Sequence, residues 1–258
     1  NLKSLLIGKP KIEKINIVSN EIEVNDIKNI VKYQKPSNLK KFFLNDVKKG
    51  KIKVKLDLNL KNNEIKNYEI DGTVKDFFAN VQNINLTKMS FIYSIKQNNG
   101  EVDNITGNVN GLNINYGNIE FENSKSLVIK GDIESDLNLN KIDINKTFKN
   151  EILNSFEKIQ LSGKIQSLFK INFDKTLKVI DYKVDTTGNI QKSYIKFKKP
   201  KKYLFIKNEI NNLSLEKTEF KMGFSKDNKK SISIKGFYRA NDNLLQKFNF
   251  KNSNERSL

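Results

Sequence analysis

Cysteine, histidine and tryptophan are absent from this 258-residue chain, and arginine occurs only as Arg239 and Arg256. Without cysteine there is no disulfide framework and no thiolate nucleophile. That composition fits the cytoplasm and equally an exported protein that avoids unwanted oxidation. Without histidine the commonest general base and the commonest metal ligand are both missing, which removes most hydrolase constellations. The net charge of +18 is almost all lysine. A nucleic-acid binder draws on the guanidinium fork for phosphates and base edges, so a chain this poor in arginine argues against one. The lysine, asparagine and isoleucine excess matches codon bias in an AT-rich genome, and most of the charge reads as drift on a solvated face. The remainder favours anionic surfaces such as lipid headgroups. No apolar run approaches the roughly 18 residues of a membrane-spanning helix. The chain opens on Asn1 rather than Met and shows no signal peptide, so it is expected to be an excised region whose anchor lies upstream.

What is present is alternation. In "GKIKVKLDLNLKNNEIKNYEIDGTVKD", Ile52, Val54, Leu56, Leu58 and Leu60 hold every second position, with Lys53, Lys55, Asp57 and Asn59 between them. After the Asn62-Asn63 break, Tyr68, Ile70, Gly72 and Val74 resume the same period, which is that of a β-strand with one apolar face. The pattern returns in Met89, Phe91 and Tyr93, in Ile129, Ile133 and Leu137, in Phe169, Ile171 and Phe173, in Phe220, Met222 and Phe224, and in Ile232 and Ile234. Asn99-Gly100 gives a strong type I′ hairpin signal, and Gly117-Asn118 reads as a further turn. A dozen or more strands joined by short Asn, Asp and Gly turns make an antiparallel meander. Glycines 72, 107, 131, 163 and 236 fall in step with the apolar positions, as bulges or as the missing side chains of a strongly curved sheet.

Two stretches break the alternation. In "PSNLKKFFLNDVKKG", Leu39, Phe42, Phe43 and Val47 stand at helical spacing with Ser37 placed to cap. In "NKTFKNEILNSFEKI", Phe148, Ile152, Phe156 and Ile159 do the same. Neither segment is long enough to stand alone, so each must lay its apolar stripe on the sheet. One reading makes them plugs at the open end of a sandwich, the other makes them markers of a junction between successive sheet units.

Chemistry-bearing motifs are missing. There is no Gly-rich phosphate loop and no paired metal ligands, and neither "VDTTGN" nor "DNKKS" resembles a calcium loop or a nucleophile elbow. Acidic residues fall on the polar phase, where a solvated face accounts for them. Aromatics share the apolar phase rather than the lysine phase, which argues against a base-stacking platform. No enzymatic activity and no cofactor are expected.

The segment "GKIKVKLDLNLKNNEIKNYEIDGTVKDFFANVQNINLTKMSFIYSI" resembles strand-rich regions of the AsmA-like superfamily, nearest its YhdP-type members. "SLLIGKPKIEKINIVSNEIEVNDI" resembles the first strands of such modules, and "LSLEKTEFKMGFSKDNKKSISIKGFY" their closing strands. The resemblance implies a bacterial bridge-like lipid transport protein with a repeating β-groove, anchored in the inner membrane and crossing the periplasm of a double-membraned cell. Phospholipid acyl chains are then the implied partner, and an inner-membrane anchor and an outer-membrane contact are implied with them.

The resulting expectation is an all-β fold, an elongated and strongly curved antiparallel meander forming an open hydrophobic groove, with one or two short helices. A first β-groove segment spans 1–145, with a short helix near 37–48. An amphipathic helix over 146–160 marks a segment junction, a second β-groove segment spans 161–250, and 251–258 is a polar tail. The expected lipid-binding groove comprises Ile52, Val54, Leu56, Leu58, Leu60, Ile70, Val74, Met89, Phe91, Tyr93, Ile129, Ile133, Leu137, Phe169, Ile171, Phe173, Phe220, Met222, Phe224, Ile232 and Ile234. The alternatives are a structural β-array, such as a surface or adhesin-like repeat with a closed core, and an outer-membrane barrel. The even spread of Phe and the short loops count against the barrel.

Overall fold

The computed structural model describes residues 12–62, 64–81, 84–124, 126–140, 155–176, 178–202, 209–227, 230–241 and 243–254. The chain is an open antiparallel β meander with helical structure near its start. Strands β1 (Lys14–Val18) and β2 (Ile22–Glu23) lead into helix α1 (Val24–Val31), the short helix α2 (Asn38–Lys41) and a π-helical turn (Phe42–Asp46). There follow β3 (Val47–Lys61), β4 (Glu64–Val81), β5 (Ile84–Lys96), β6 (Asn99–Val109), β7 (Leu112–Asn123), β8 (Leu127–Asn140), β9 (Phe156–Phe173), β10 (Val179–Lys201), β11 (Ile210–Ser225), β12 (Lys230–Ala240) and β13 (Gln246–Asn254). The sheet order is β1-β3-β4 and onward in sequence to β13, with β2 also on β3. Every pairing whose register is described is antiparallel. Order that follows sequence needs only hairpins, as the short turns require. Contacts divide the chain into two units, Asn1–Thr106 with Asn118–Lys125, and Gly107–Gly117 with Ser126–Leu258.

Local chemistry explains the turns. Asn110 and Gly111 both have positive φ, at 51° and 94°, the type I′ geometry that matches the twist of a two-residue hairpin. The Asn99-Gly100 signal is overruled. The bend falls at Gln97-Asn98, and Gly100 lies inside β6, where the Phe121 ring occupies the space of a side chain. Nor does Gly117-Asn118 turn; β7 runs straight through it with Gly117 buried. Between β9 and β10 the Asp174 carboxylate accepts from the Thr176 N–H (2.8 Å), the Thr176 hydroxyl (2.7 Å) and the Lys178 N–H (3.0 Å), closing the turn with a side chain.

The helical stretch at 37–48 forms as expected at its start. The Lys40 N–H donates to Ser37 Oγ at 3.1 Å, an N-cap bond to the third helical residue. It then widens into the π-turn, and Val47, expected on its stripe, instead opens β3 with its side chain fully buried. Helix α1 was not expected. Its Val24, Ile27 and Val31 follow helical spacing, but Ile22 and Val24 also fit a strand, and eight residues leave the period ambiguous. Of the helix expected over 146–160, residues 146–154 lie outside the described residues, and Phe156 to Gln160 are the opening of β9. Residues 251–254, expected in a polar tail, complete β13.

Bulges keep the two faces distinct along these long strands. The register of β4 against β5 shifts between Val74 and Phe77 and again before Ala79. Asp76 and Lys88 flank the Phe77–Met89 rung, each with positive φ (47° and 52°). Across each bulge the inward residues are three apart instead of two, Val74 to Phe77 on β4 and Leu86 to Met89 on β5. One extra residue absorbs the odd step, so the apolar phase continues on the same face. In the second unit Lys217 (φ 44°) does this on β11, between Leu215 and Thr218. On β10 the shift lies between Ile190 and Lys192.

Glycine serves close approach within the ladder. A Cβ on Gly163 would fall well inside contact distance of the Asn189 carbonyl oxygen, an obstacle made of backbone. Gly163→Ala is expected to destabilise the second unit by about 1–3 kcal/mol. Chemical denaturation is the measurement, and Gly223→Ala, which meets only side-chain atoms, should cost less.

Candidate functional site: the apolar face of the sheet

Residues directly opposite on neighbouring strands point to the same side, so the registers define which side chains form one surface. In the first unit the rungs are Ile22–Ile52–Val74–Phe91, Val54–Gly72–Tyr93, Ile17–Leu56–Ile70–Ile95 and Ile15–Leu58–Tyr68. In the second they are Ile129–Ile171–Tyr182, Gly131–Phe169–Val184–Phe224, Ile133–Ser167–Thr186–Met222–Ile232, and Ser135–Ile165–Gly188–Phe220–Ile234–Phe250. The expected groove residues thus share one face within each unit. Leu60 continues it opposite Ile65, Leu137 opposite Gly163, and Phe173 closes β9 opposite Val179.

Burial is uneven along this face, and in the second unit Ile159, Ser193 and Thr218 are buried within the sheet. At the helical end Val24, Val31, Val47, Ile52, Val74, Phe77, Ala79 and Met89 are all at most 9% exposed. There α1 and the π-turn pack on β3 and β4, and the Lys28 ammonium donates to the Val47 carbonyl at 2.6 Å. This is an ordinary small core. Ile52, Val74 and Met89, three of the expected groove residues, belong to it. Leu137 is buried too, whereas Phe224 is 36% exposed and the other expected residues are half-buried. Among the described residues, contacts away from the helical end run between neighbouring strands of the sheet. Side chains there are covered by their rung neighbours rather than by a second layer.

The expected groove set leaves out Phe77, Ala79, Ile165, Val184 and Phe250, which complete this face. The three-residue steps at the bulges hid the first two. Ile165 and Val184 alternate visibly but stand beside Ser167 and Thr186, which dilute the pattern.

Several polar groups on this face are bonded within the sheet. Ser167 Oγ and Thr186 Oγ1 are 3.1 Å apart, Ser193 Oγ accepts from the Leu215 N–H at 2.8 Å, and Thr218 Oγ1 donates to the Glu216 carbonyl at 3.2 Å. Two aromatic rings lie over glycines on the adjacent strand, Tyr93 over Gly72 and Phe220 over Gly188. The Tyr93 hydroxyl reaches the Lys53 carbonyl at 3.4 Å, and its pKa is raised by burial and then by the Asp71 charge. Where a hydroxyl is bonded within the sheet, its place on the face presents hydrocarbon.

The opposite face carries the charge. Lys75–Glu21 (2.6 Å), Lys235–Glu219 (2.9 Å) and Lys196–Glu157 (2.8 Å) are ion pairs in solvent, each worth little alone. A depression of about 790 Å³ on that side gathers Gln160, Lys192, Tyr194, Ser214 and Glu216. It holds amides, hydroxyls and charges of both signs with no convergent nucleophile and base. No group of three or more carboxylates converges on a metal-sized space among the described residues. No helix among them is long and apolar enough to cross a membrane.

No family model, curated protein or solved structure matches the chain.

Edge strand β1 brings Ile15 and Ile17 to the apolar face and is tied to β3 through Asp57. That carboxylate accepts from Asn16 Nδ2 at 2.7 Å and lies 3.0 Å from the Lys55 ammonium and 3.6 Å from that of Lys14. The Asn16 bond first, then Lys55, lowers its pKa from 3.8 to about 2. A folded value below the unfolded one means the contribution is present above about pH 4 and is lost as pH falls toward 2. Hydrogen exchange of the Ile15 and Ile17 amides should therefore accelerate across that window beyond the change in intrinsic rate. In Asp57→Asn the window should vanish, because the amide has no charge to lose.

Proposed function

We propose that this chain is a section of a conduit that shelters phospholipid acyl chains against the apolar face of its sheet, in transport between the inner and outer membranes of a double-membraned bacterium. The observation that carries this reading is the half-buried apolar surface of both units, ordered rung by rung and backed by a charged face. An apolar area beyond a few hundred Å² in contact with water calls for a partner. An acyl chain gains about 0.8 kcal/mol for each methylene it buries. A lipid tail is featureless, so its binding surface needs apolar character and no directed polar groups. The likeness of the strand-turn-strand segments to AsmA-like proteins supports the same reading. The lysine-rich outer face suits proximity to anionic headgroups, and the intact protein would hold an anchor in the inner membrane.

Native mass spectrometry of protein purified without detergent should show bound phospholipid. Leu56 sits in the Ile17–Leu56–Ile70–Ile95 rung and is half-buried. Leu56→Asp should leave the far-ultraviolet circular dichroism unchanged while lipid occupancy falls severalfold. Lipid-free monomer with no dye-accessible apolar surface, or unfolding of Leu56→Asp as a buried unpaired charge would cause, favours instead a structural β-array with a closed core.

A further inference from the structure

We infer that the C-terminal end of β10 is a docking site for an anionic bilayer surface, which Lys198, Lys199, Lys201 and Lys202 hold by charge. The inference rests on the conduit reading and says where such a conduit meets a membrane. Between Asp185 and Glu209 the sequence has seven lysines and no carboxylate. At the chain's average of 29 carboxylates in 258 residues, that stretch would hold about two or three, so the excess is local and separate from the drift of the whole composition. The strands that flank β10 do not neutralise it. β9 and β11 carry three carboxylates between them, and each already has a cation: Glu157 with Lys196 at 2.8 Å, Glu219 with Lys235 at 2.9 Å and Glu216 with Arg239 at 3.8 Å. Among the described residues, the four lysines at and just beyond the end of β10 have no ion-pair partner.

Position in the sheet favours lipid over other polyanions. Ile195 lies opposite Ile159 and Leu213 on the apolar face. Two residues on, Phe197 pairs with Phe156, their ring centroids 5.4 Å apart. There the alternation stops, and from Lys198 to Lys202 both phases carry lysine, interrupted only by Pro200. β10 pairs with β9 no further than Phe197, and its register with β11 jumps from Lys196 to Lys201. Lys198, Lys199 and Lys202 are exposed. An apolar stripe that ends in aromatic rings and then in ammonium groups follows the order of a phospholipid from tail to phosphate. Four lysines in one cluster are enough to draw a protein to anionic headgroups, each adding to the attraction. A nucleic acid would call instead for guanidinium forks or exposed rings beside the charge. This stretch has no arginine, and Phe156, Tyr194 and Phe197 are half-buried.

Co-sedimentation of the full chain with vesicles tests this. Vesicles of phosphatidylcholine containing about a quarter phosphatidylglycerol should bind the protein at low salt and release it at about 0.5 M salt, whereas pure phosphatidylcholine should not bind it. Replacing three exposed lysines together, Lys198→Gln, Lys199→Gln and Lys202→Gln, should weaken binding at least about tenfold. A matched removal of charge from β3 and β4, Lys53→Gln, Lys61→Gln and Lys66→Gln, should weaken it less than about twofold. Those three lysines are exposed as well, so circular dichroism should be unchanged in both variants. Equal losses in the two variants would mean diffuse attraction by net charge and overturn the site. Binding to pure phosphatidylcholine, or binding to a single-stranded oligonucleotide without binding to anionic vesicles, would overturn it too. Native mass spectrometry of the same preparations reads the conduit separately. Protein that holds phospholipid but ignores anionic vesicles overturns the docking site alone, and protein that docks without holding phospholipid overturns the conduit alone.

Discussion

Backbone pairing within one layer is the constraint from which this structure follows. A strand in a sandwich is held on its flanks by hydrogen bonds and on its inner face by a second sheet. Over most of this chain, among the described residues, only the flanks supply neighbours. A side chain such as Leu56 is then stabilised by Ile17 and Ile70 beside it. Rung composition matters accordingly: β-branched and aromatic residues opposite one another give contact area that does not depend on an overlying element. The glycine–aromatic pairs belong to the same logic, since a ring laid sideways over a glycine buries surface inside the layer.

The second requirement is that two faces of opposite character persist along strands of up to 23 residues. Bulges at Asp76, Lys88 and Lys217 meet it at the cost of left-handed backbone in residues with side chains. Asp tolerates that conformation through local hydrogen bonding; for the two lysines the surrounding ladder must impose it. Helix α1 and the π-turn supply the exception to the single layer, and Val24 and Val47 are fully buried there.

Much of this was legible in the sequence because a period of two carries its own face assignment. Ile52 through Leu60 could be placed on one surface with no knowledge of their partners, and the registers put them there. The Ser37 cap was readable for the same reason, being a local bond. Three things resisted. Turn chemistry at Asn99-Gly100 lost to the pairing of β6, which needed Gly100 beneath the Phe121 ring. Helix α1 was hidden by brevity, since Ile22 and Val24 satisfy both periods. Phe77 and Ala79 were lost to the face because a bulge breaks the count, although a pair of apolar runs three residues out of step is itself the signal of one. The apolar positions also read alike whether a helix covers them or not. Ile52 and Leu58 cannot be told apart by pattern, yet one is core and the other half-open.

Sequence-ordered pairing from β3 to β13 has a consequence for how such a molecule changes over generations. Each hairpin is finished by its predecessor and asks only for a matching flank, much as each course of a brick wall rests on the one below. Duplicating or deleting a pair of strands at one margin leaves the remaining registers intact, so length becomes a property that drift and selection can adjust without redesigning what is already built.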